Sequence, residues 1–141
     1  VDDTCLATGE LLPVKDTPFD FNKRKRIGQD LEADHIQLKN AFGYDHSFVL
    51  NGTENQLTLE EPVSGRRLII STTAPVVQVY TGNFLKDGCI GKAGRVYENR
   101  EGVALETQLM PNAINTEENP STILRKGDKF ESNTKYVFEI M

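Results

Sequence analysis

The chain has no tryptophan and only two cysteines. It has no apolar run near the roughly 20 residues that a bilayer-crossing helix needs. Each shortage removes a class of protein. Without such a run the chain is not expected to span or bind a membrane. Cys5 and Cys89 make no disulfide framework, and no Cys/His cluster has zinc-site spacing. Both are read as free thiols in a reducing compartment, which places the protein in the cytoplasm. Positive charge is also short, with 16 Lys and Arg against 21 Asp and Glu and a net charge of −5. That balance argues against nucleic acid as a partner, and the one basic run, Lys23-Arg24-Lys25-Arg26, reads as a solvated turn. No nucleophile elbow, phosphate loop or dinucleotide glycine fingerprint is present, and glycines 88, 91 and 94 are not framed by a β-α-β unit. Asn51-Gly52-Thr53 fits a glycosylation sequon but also a tight turn, the reading favoured here. The opening Val1-Asp2-Asp3 lacks an initiator methionine and the apolar segment of a signal peptide, so a cut or processed start is expected.

What the chain does have is a β pattern. Short apolar or alternating runs recur at Phe48-Val49-Leu50, Leu57 to Glu60, Arg67 to Thr72, Val76 to Tyr80, Val103 to Leu109 and Lys135 to Ile140, separated by Gly, Pro, Asn and Asp. Short strands at this spacing predict an all-β fold, an antiparallel sandwich or barrel. Pro62 to Arg66 reads as a hairpin connection with a glycine turn. Asp30 to Asn40 allows one short helix. A further strand-like segment is read within a few residues of Val1, and Pro111 to Pro120 reads as a long surface loop. The 141 residues suit one domain. Such a domain buries roughly two-thirds of its unfolded surface and needs neither metal nor disulfide to fold.

Period-two alternation also sorts the polar residues. In Val103 to Leu109, Leu105 and Thr107 point one way, while Ala104, Glu106 and Gln108 point the other. A carboxylate and an amide then share a face beside a small alanine, where a ligand could approach closely. A half-buried antiparallel strand also carries Glu and Gln on its wet face, so alternation leaves both readings open. In Gly43 to Leu50, Asp45 and His46 are adjacent and should face opposite ways, so they should not act on the same ligand. In Thr73 to Phe84, Gln78 and Tyr80 share one face and Val77 and Val79 the other. Val14 to Phe21 reads as a packed loop. Carboxylates and amides without a metal set suit polyhydroxylated ligands, whose neighbouring hydroxyls they pair with.

Seven stretches in order are similar to the galactose mutarotase, or aldose 1-epimerase, family: Thr8-Gly9-Glu10, Thr17 to Phe21, Gly43-Tyr44-Asp45-His46, Ser64-Gly65-Arg66, Gln78 to Asn83, Leu105-Glu106-Thr107-Gln108, and Pro120-Ser121 followed by Ile123-Leu124. The resemblance implies an antiparallel β-sandwich of the mutarotase-like supersandwich type, with residues 1–141 as the C-terminal portion of that single domain. It implies cofactor-free interconversion of the α and β anomers of an aldohexose such as galactose or glucose. A glutamate takes the C1-hydroxyl proton, a histidine protonates the ring oxygen, and the opened ring recloses on the other face. By motif position, Glu106 matches the general base, Asp45 an aspartate bonding sugar hydroxyls, and Gln78 a glutamine lining the site. A partly desolvated setting would suit Glu106 as a base.

The chain departs from the pattern at Pro75-Val76, where the family has Pro-Gly, and at Val79, where it has an aromatic. The general-acid histidine, a second histidine and a sugar-binding arginine belong to a missing N-terminal portion, which becomes the expected partner. Neither His35 nor His46 is assigned the acid's role. Two alternatives stand beside the enzyme: a non-catalytic carbohydrate-binding module of the same fold, and a hexose-phosphate epimerase relative using the Lys23 to Arg26 run.

Overall fold

The computed structural model describes residues 1–86, 90–116 and 122–141. Cys89, Gly88, the Pro120-Ser121 pair and the end of the Pro111 to Pro120 loop lie outside the described residues. All six alternating runs form strands: β1 (Asp45–Val49), β2 (Leu57–Glu61), β3 (Arg66–Thr72), β4 (Val76–Tyr80), β5 (Ala104–Gln108) and β6 (Thr134–Ile140). They make two three-stranded antiparallel sheets, ordered β1-β4-β5 and β2-β3-β6. The all-β, antiparallel expectation holds. The one short helix allowed between Asp30 and Asn40 is α1 (Ile36–Ala41), and single 3-10 turns sit at Ile27–Gln29 and Ala113–Asn115. No described helix is long and apolar enough to cross a membrane.

The β2-β3 hairpin turns where the sequence marks it. Gly65 takes φ 73°, and the Glu61 carboxylate accepts the N–H groups of Val63 and Ser64 at 2.9 and 2.7 Å. The Ser64 side chain first, and then those two backbone bonds, hold the Glu61 carboxyl below its ordinary range. Side-chain acceptors thus replace ladder bonds at the turn.

The expected strand near Val1 is not there: residues 1–44 carry turns, α1 and irregular backbone, with no strand. Local side-chain bonds take the place of a ladder. Asp2 accepts from Thr4 and Leu6 N–H, and Thr17 donates to the Val14 carbonyl at 2.6 Å. The basic run is not uniformly solvated either. Lys25 donates to the Pro18 carbonyl and to Asp30 at 2.6 and 2.8 Å, and its ammonium lies 4.5 Å from the Phe21 ring centroid. Its stem covers apolar surface while Asp30 neutralises its head, and Asp30 is held below the ordinary carboxyl range by that bond. Arg24 pairs with Glu60 at 3.0 Å.

The Val14 to Phe21 loop is packed, as read. Phe19, Leu38 and Tyr44 form a buried cluster joined by Phe21 and Phe48. Phe19 meets Tyr44 edge-on at 5.3 Å and Phe21 meets Tyr44 at 5.4 Å, the tilted geometry aromatic pairs prefer. Tyr44 is fully buried, donates to the Pro18 carbonyl at 2.7 Å, and has its phenol pushed up to about 12 by that burial. This cluster backs β1 on its His46–Phe48 side. The opposite side of β1 is left for Asp45 and Ser47.

Candidate active site

The entry into β1 is fixed by long-range bonds. α1 is capped by His35, whose Nδ1 accepts from Gln37 N–H at 3.2 Å, and it ends on Phe42 in the left-handed region at φ 56°. Gly43 follows at φ 141°, and a Cβ there would lie 2.4 Å from Asn83 Oδ1, so only glycine fits. Asn83 in turn donates to the carbonyls of Ala41 and Tyr44 at 2.8 and 3.1 Å. Thr81 Oγ1 accepts the Tyr44 N–H at 3.1 Å and donates to Asn83 Oδ1 at 2.7 Å. The stretches Gly43 to His46 and Gln78 to Asn83, far apart in sequence, are therefore two halves of one clamp that aims Asp45.

From that clamp a row of polar side chains crosses the first sheet. The register pairs Asp45 with Tyr80, Ser47 with Gln78, and Gln78 with Glu106. Directly opposed residues share a face, so Asp45, Ser47, Gln78, Tyr80, Ala104 and Glu106 all lie on one side. Gln78 Nε2 donates to Asp45 Oδ1 at 2.7 Å, and Ser47 Oγ donates to Gln78 Oε1 at 2.5 Å. A carboxylate only accepts, so the amide must turn its nitrogen to Asp45 and its oxygen to Ser47. Asp45, Ser47 and Gln78 are half-buried, whereas Glu106 is exposed and its carboxylate makes no hydrogen bond or ion pair among the described residues. The partly desolvated setting foreseen for Glu106 is thus absent in this chain. Glu106 sits on an edge strand, with none of the described residues packed over it.

The reverse face carries the other set. His46 pairs with Val79, and Val79 with Leu105. Val79, one departure from the family pattern, therefore does not line the row. Val76, the other, is fully buried. His46 is 9% exposed and meets the Phe19 ring edge-on at 4.7 Å, and His35 meets the same ring at 5.3 Å. As alternation requires, Asp45 and His46 face apart. Burial pushes the His46 imidazole down to about 4, with the N-terminal amine and His35 lowering it further. Among the described residues neither histidine joins the Asp45–Glu106 row. A concavity of about 2020 Å³ is bordered by Phe48, Val79, Leu57 and Leu59 and by Ser47 and Gln78 of the row, but not by Asp45 or Glu106. It is roughly twice the size of an ordinary small-molecule site. No group of three His, Cys, Asp or Glu able to hold a metal occurs among the described residues.

Sequence reasoning missed Ser47, Thr81 and Asn83. Ser47 was open to discovery, since two residues beyond Asp45 on a strand is the same face. The clamp was not, because it depends on a contact between positions 39 residues apart.

Comparison with known proteins finds relatives that match nearly the whole chain. The aldose 1-epimerase family pattern matches residues 1–137. The galactose mutarotase of Homo sapiens is 38% identical over 143 residues, covering 99% of this chain and 40% of that protein. The aldose 1-epimerase of Escherichia coli (strain K12) is 34% identical over 144 residues, covering 98% of this chain and 41% of that protein. Among solved structures, an aldose epimerase homologue from C. elegans superposes with a TM-score of 0.83 at 29% identity, over 99% of this chain and 42% of that one. The galactose 1-epimerase of Lactobacillus acidophilus NCFM gives 0.75 at 31% identity, over 99% of this chain and 40% of that one. The chain spans about 40% of the length of the curated relatives it matches. With the family pattern running through residues 1–137 and relatives matched over nearly all of its length, the chain belongs to the aldose 1-epimerase family.

Proposed function

We propose that this chain is the carboxylate-bearing, C-terminal portion of a mutarotase that interconverts the anomers of an aldohexose such as galactose or glucose. Glu106 is the general base, and Asp45 and Gln78 hold the sugar hydroxyls. In the forward sense Glu106 takes the proton of the C1 hydroxyl. The C1–O5 bond breaks with its electron pair going to the ring oxygen, which is protonated by an acid. Rotation about C1–C2 and reclosure return both protons and give the other anomer. The observation that carries this reading is the single row in which Asp45, Gln78 and Glu106 stand on one face of three adjacent strands.

The acid comes from a portion outside this chain, because His46 lies on the reverse face and His35 packs with it against Phe19. Exposed Tyr136, Phe138 and Ile140 on one face of β6, and the unpacked Glu106, support a fold completed by that portion.

The test is Glu106→Gln in the protein that carries both portions. Polarimetric mutarotation should fall by about 10²–10⁴-fold while galactose binding is nearly unchanged. Unchanged turnover removes Glu106 from the mechanism. The same lack of a histidine on the row favours the runner-up, a non-catalytic carbohydrate-binding module. Galactose binding without any mutarotation by the unmutated protein would select it.

A further inference from the structure

Tyr44 and Thr81 are joined by the Thr81 N–H to the Tyr44 carbonyl, and Leu50 N–H reaches the Pro75 carbonyl. Antiparallel pairs alternate between hydrogen-bonded and non-hydrogen-bonded. Asp45 and Tyr80 therefore form a non-hydrogen-bonded pair, and the Asp45 N–H points away from β4. β1 is an edge strand among the described residues, so none of the described strands receives that donor. It is received by its own neighbour: Asp45 N–H donates to His46 Nδ1 at 3.0 Å.

That bond explains an otherwise costly choice of side chain. His46 is surrounded by Phe19, with Phe48 two residues along on the same face, and a phenylalanine there would suit the aromatic cluster. The imidazole instead leaves Nε2 buried with no hydrogen-bond partner among the described residues, a penalty a phenyl ring would not carry. What the imidazole adds is one acceptor, at the position that faces the Asp45 backbone. With Nδ1 accepting, the proton sits on Nε2. Burial favours that neutral form.

We propose that His46 is a positioning residue. Its neutral ring, wedged against Phe19 on the reverse face, holds the Asp45 amide at the free edge of β1 and so fixes the backbone from which the Asp45 carboxylate reaches Gln78. The proposal rests on the reading of Asp45 as a sugar-binding group, and it assigns His46 no contact with sugar. Loss of the acceptor should therefore weaken sugar binding more than it slows turnover, because Asp45 grips ground state and transition state alike.

The experiment uses the protein carrying both portions. His46→Phe keeps the aromatic packing and removes the acceptor, whereas His46→Asn places an amide oxygen where Nδ1 stood. His46→Phe should raise the galactose KM roughly three- to tenfold with kcat changed by less than about twofold, and His46→Asn should recover most of that loss. Wild-type KM in His46→Phe, or equal damage in both variants, overturns the proposal. If His46→Phe fails to fold, the unmutated protein still decides. Nitrogen NMR should find His46 with a bare Nδ1 and a protonated Nε2, and the Asp45 amide should exchange more slowly than its neighbour Ser47. A proton on Nδ1 overturns the proposal. These spectra need no galactose, so they separate a failure of His46 from a failure of the mutarotase reading.

Discussion

Asn83 donates to the Tyr44 carbonyl at 3.1 Å, joining the end of the glutamine strand to the start of the aspartate strand. Asn83 is 4% exposed and Tyr44 is fully buried, so neither group can fall back on water. Asn83→Ala should leave the buried Ala41 carbonyl unpaired and the Tyr44 carbonyl held by Thr81 alone, and cost about 1–3 kcal/mol of stability. Gly43→Ala should cost as much or more, because the added methyl meets Asn83 and the backbone keeps its positive φ. Denaturant titration of both variants checks this. A loss below about 1 kcal/mol in each would show that the clamp does not hold β1 in place.

Ser47→Ala is a finer probe of the same region. Removing the hydroxyl frees Gln78 Oε1 while the Asp45 bond remains. Sugar affinity should fall about two- to fivefold, less than the roughly tenfold or greater loss expected of Gln78→Ala, which strips Asp45 of its charged hydrogen bond. Titration calorimetry with galactose gives the ranking. The reverse order would mean that Gln78 is not the residue that orders the row.

Stability should also depend on His46. Its folded pKa, about 4, lies below the ordinary value of 6.5. Above pH 6.5 the ring is neutral in folded and unfolded chains and the group is silent. Between 6.5 and 4 the unfolded chain takes up a proton that the folded one refuses, so stability falls as pH falls, by up to about 3 kcal/mol at this one site. Below about 4 the folded ring protonates too and the decline stops. Denaturant midpoints compared from pH 7 to 4 should show the difference between wild type and His46→Phe shifting in the variant's favour in that window. Parallel curves would show that His46 titrates normally.

The Lys25 site gives a fourth check. Lys25→Met keeps the stem over Phe21 but removes two donors, leaving the Pro18 carbonyl and Asp30 without them. A stability loss of about 1–2 kcal/mol is expected from the partly buried pair. A loss indistinguishable from zero would class Lys25 with ordinary surface charges.

The strands were legible in the sequence because alternation is a local signal. Val76 to Tyr80 was placed to the residue, and the Val103 to Leu109 run lost only its end residues. The sharing of faces followed from the same period, which is why Gln78 was separated from Val79 and Asp45 from His46. Pairing across strands was not legible. Nothing local states that Ser47 lies opposite Gln78, or that Asn83 reaches back to Tyr44. Lys25 was misplaced for a related reason: in a basic run it looks solvated, and only the fold brings Pro18 and Asp30 to it. The strand read near Val1 failed where Asp2 and Thr17 offered the backbone nearer partners than another strand.

The orientation of the Gln78 amide has a stereochemical consequence. Ser47 donates, Gln78 relays and Asp45 receives, so the bonds along the row all run in one direction. What remains for a guest is a second N–H on Gln78 and a second oxygen on Asp45, a donor followed by an acceptor. Two adjacent hydroxyls laid over the row must therefore meet it in one order, the first accepting and the second giving. A sugar epimer that swings either hydroxyl out of line keeps one of those bonds and loses the other. If the row is the sugar site proposed above, it would tell such epimers apart by which of those two bonds survives.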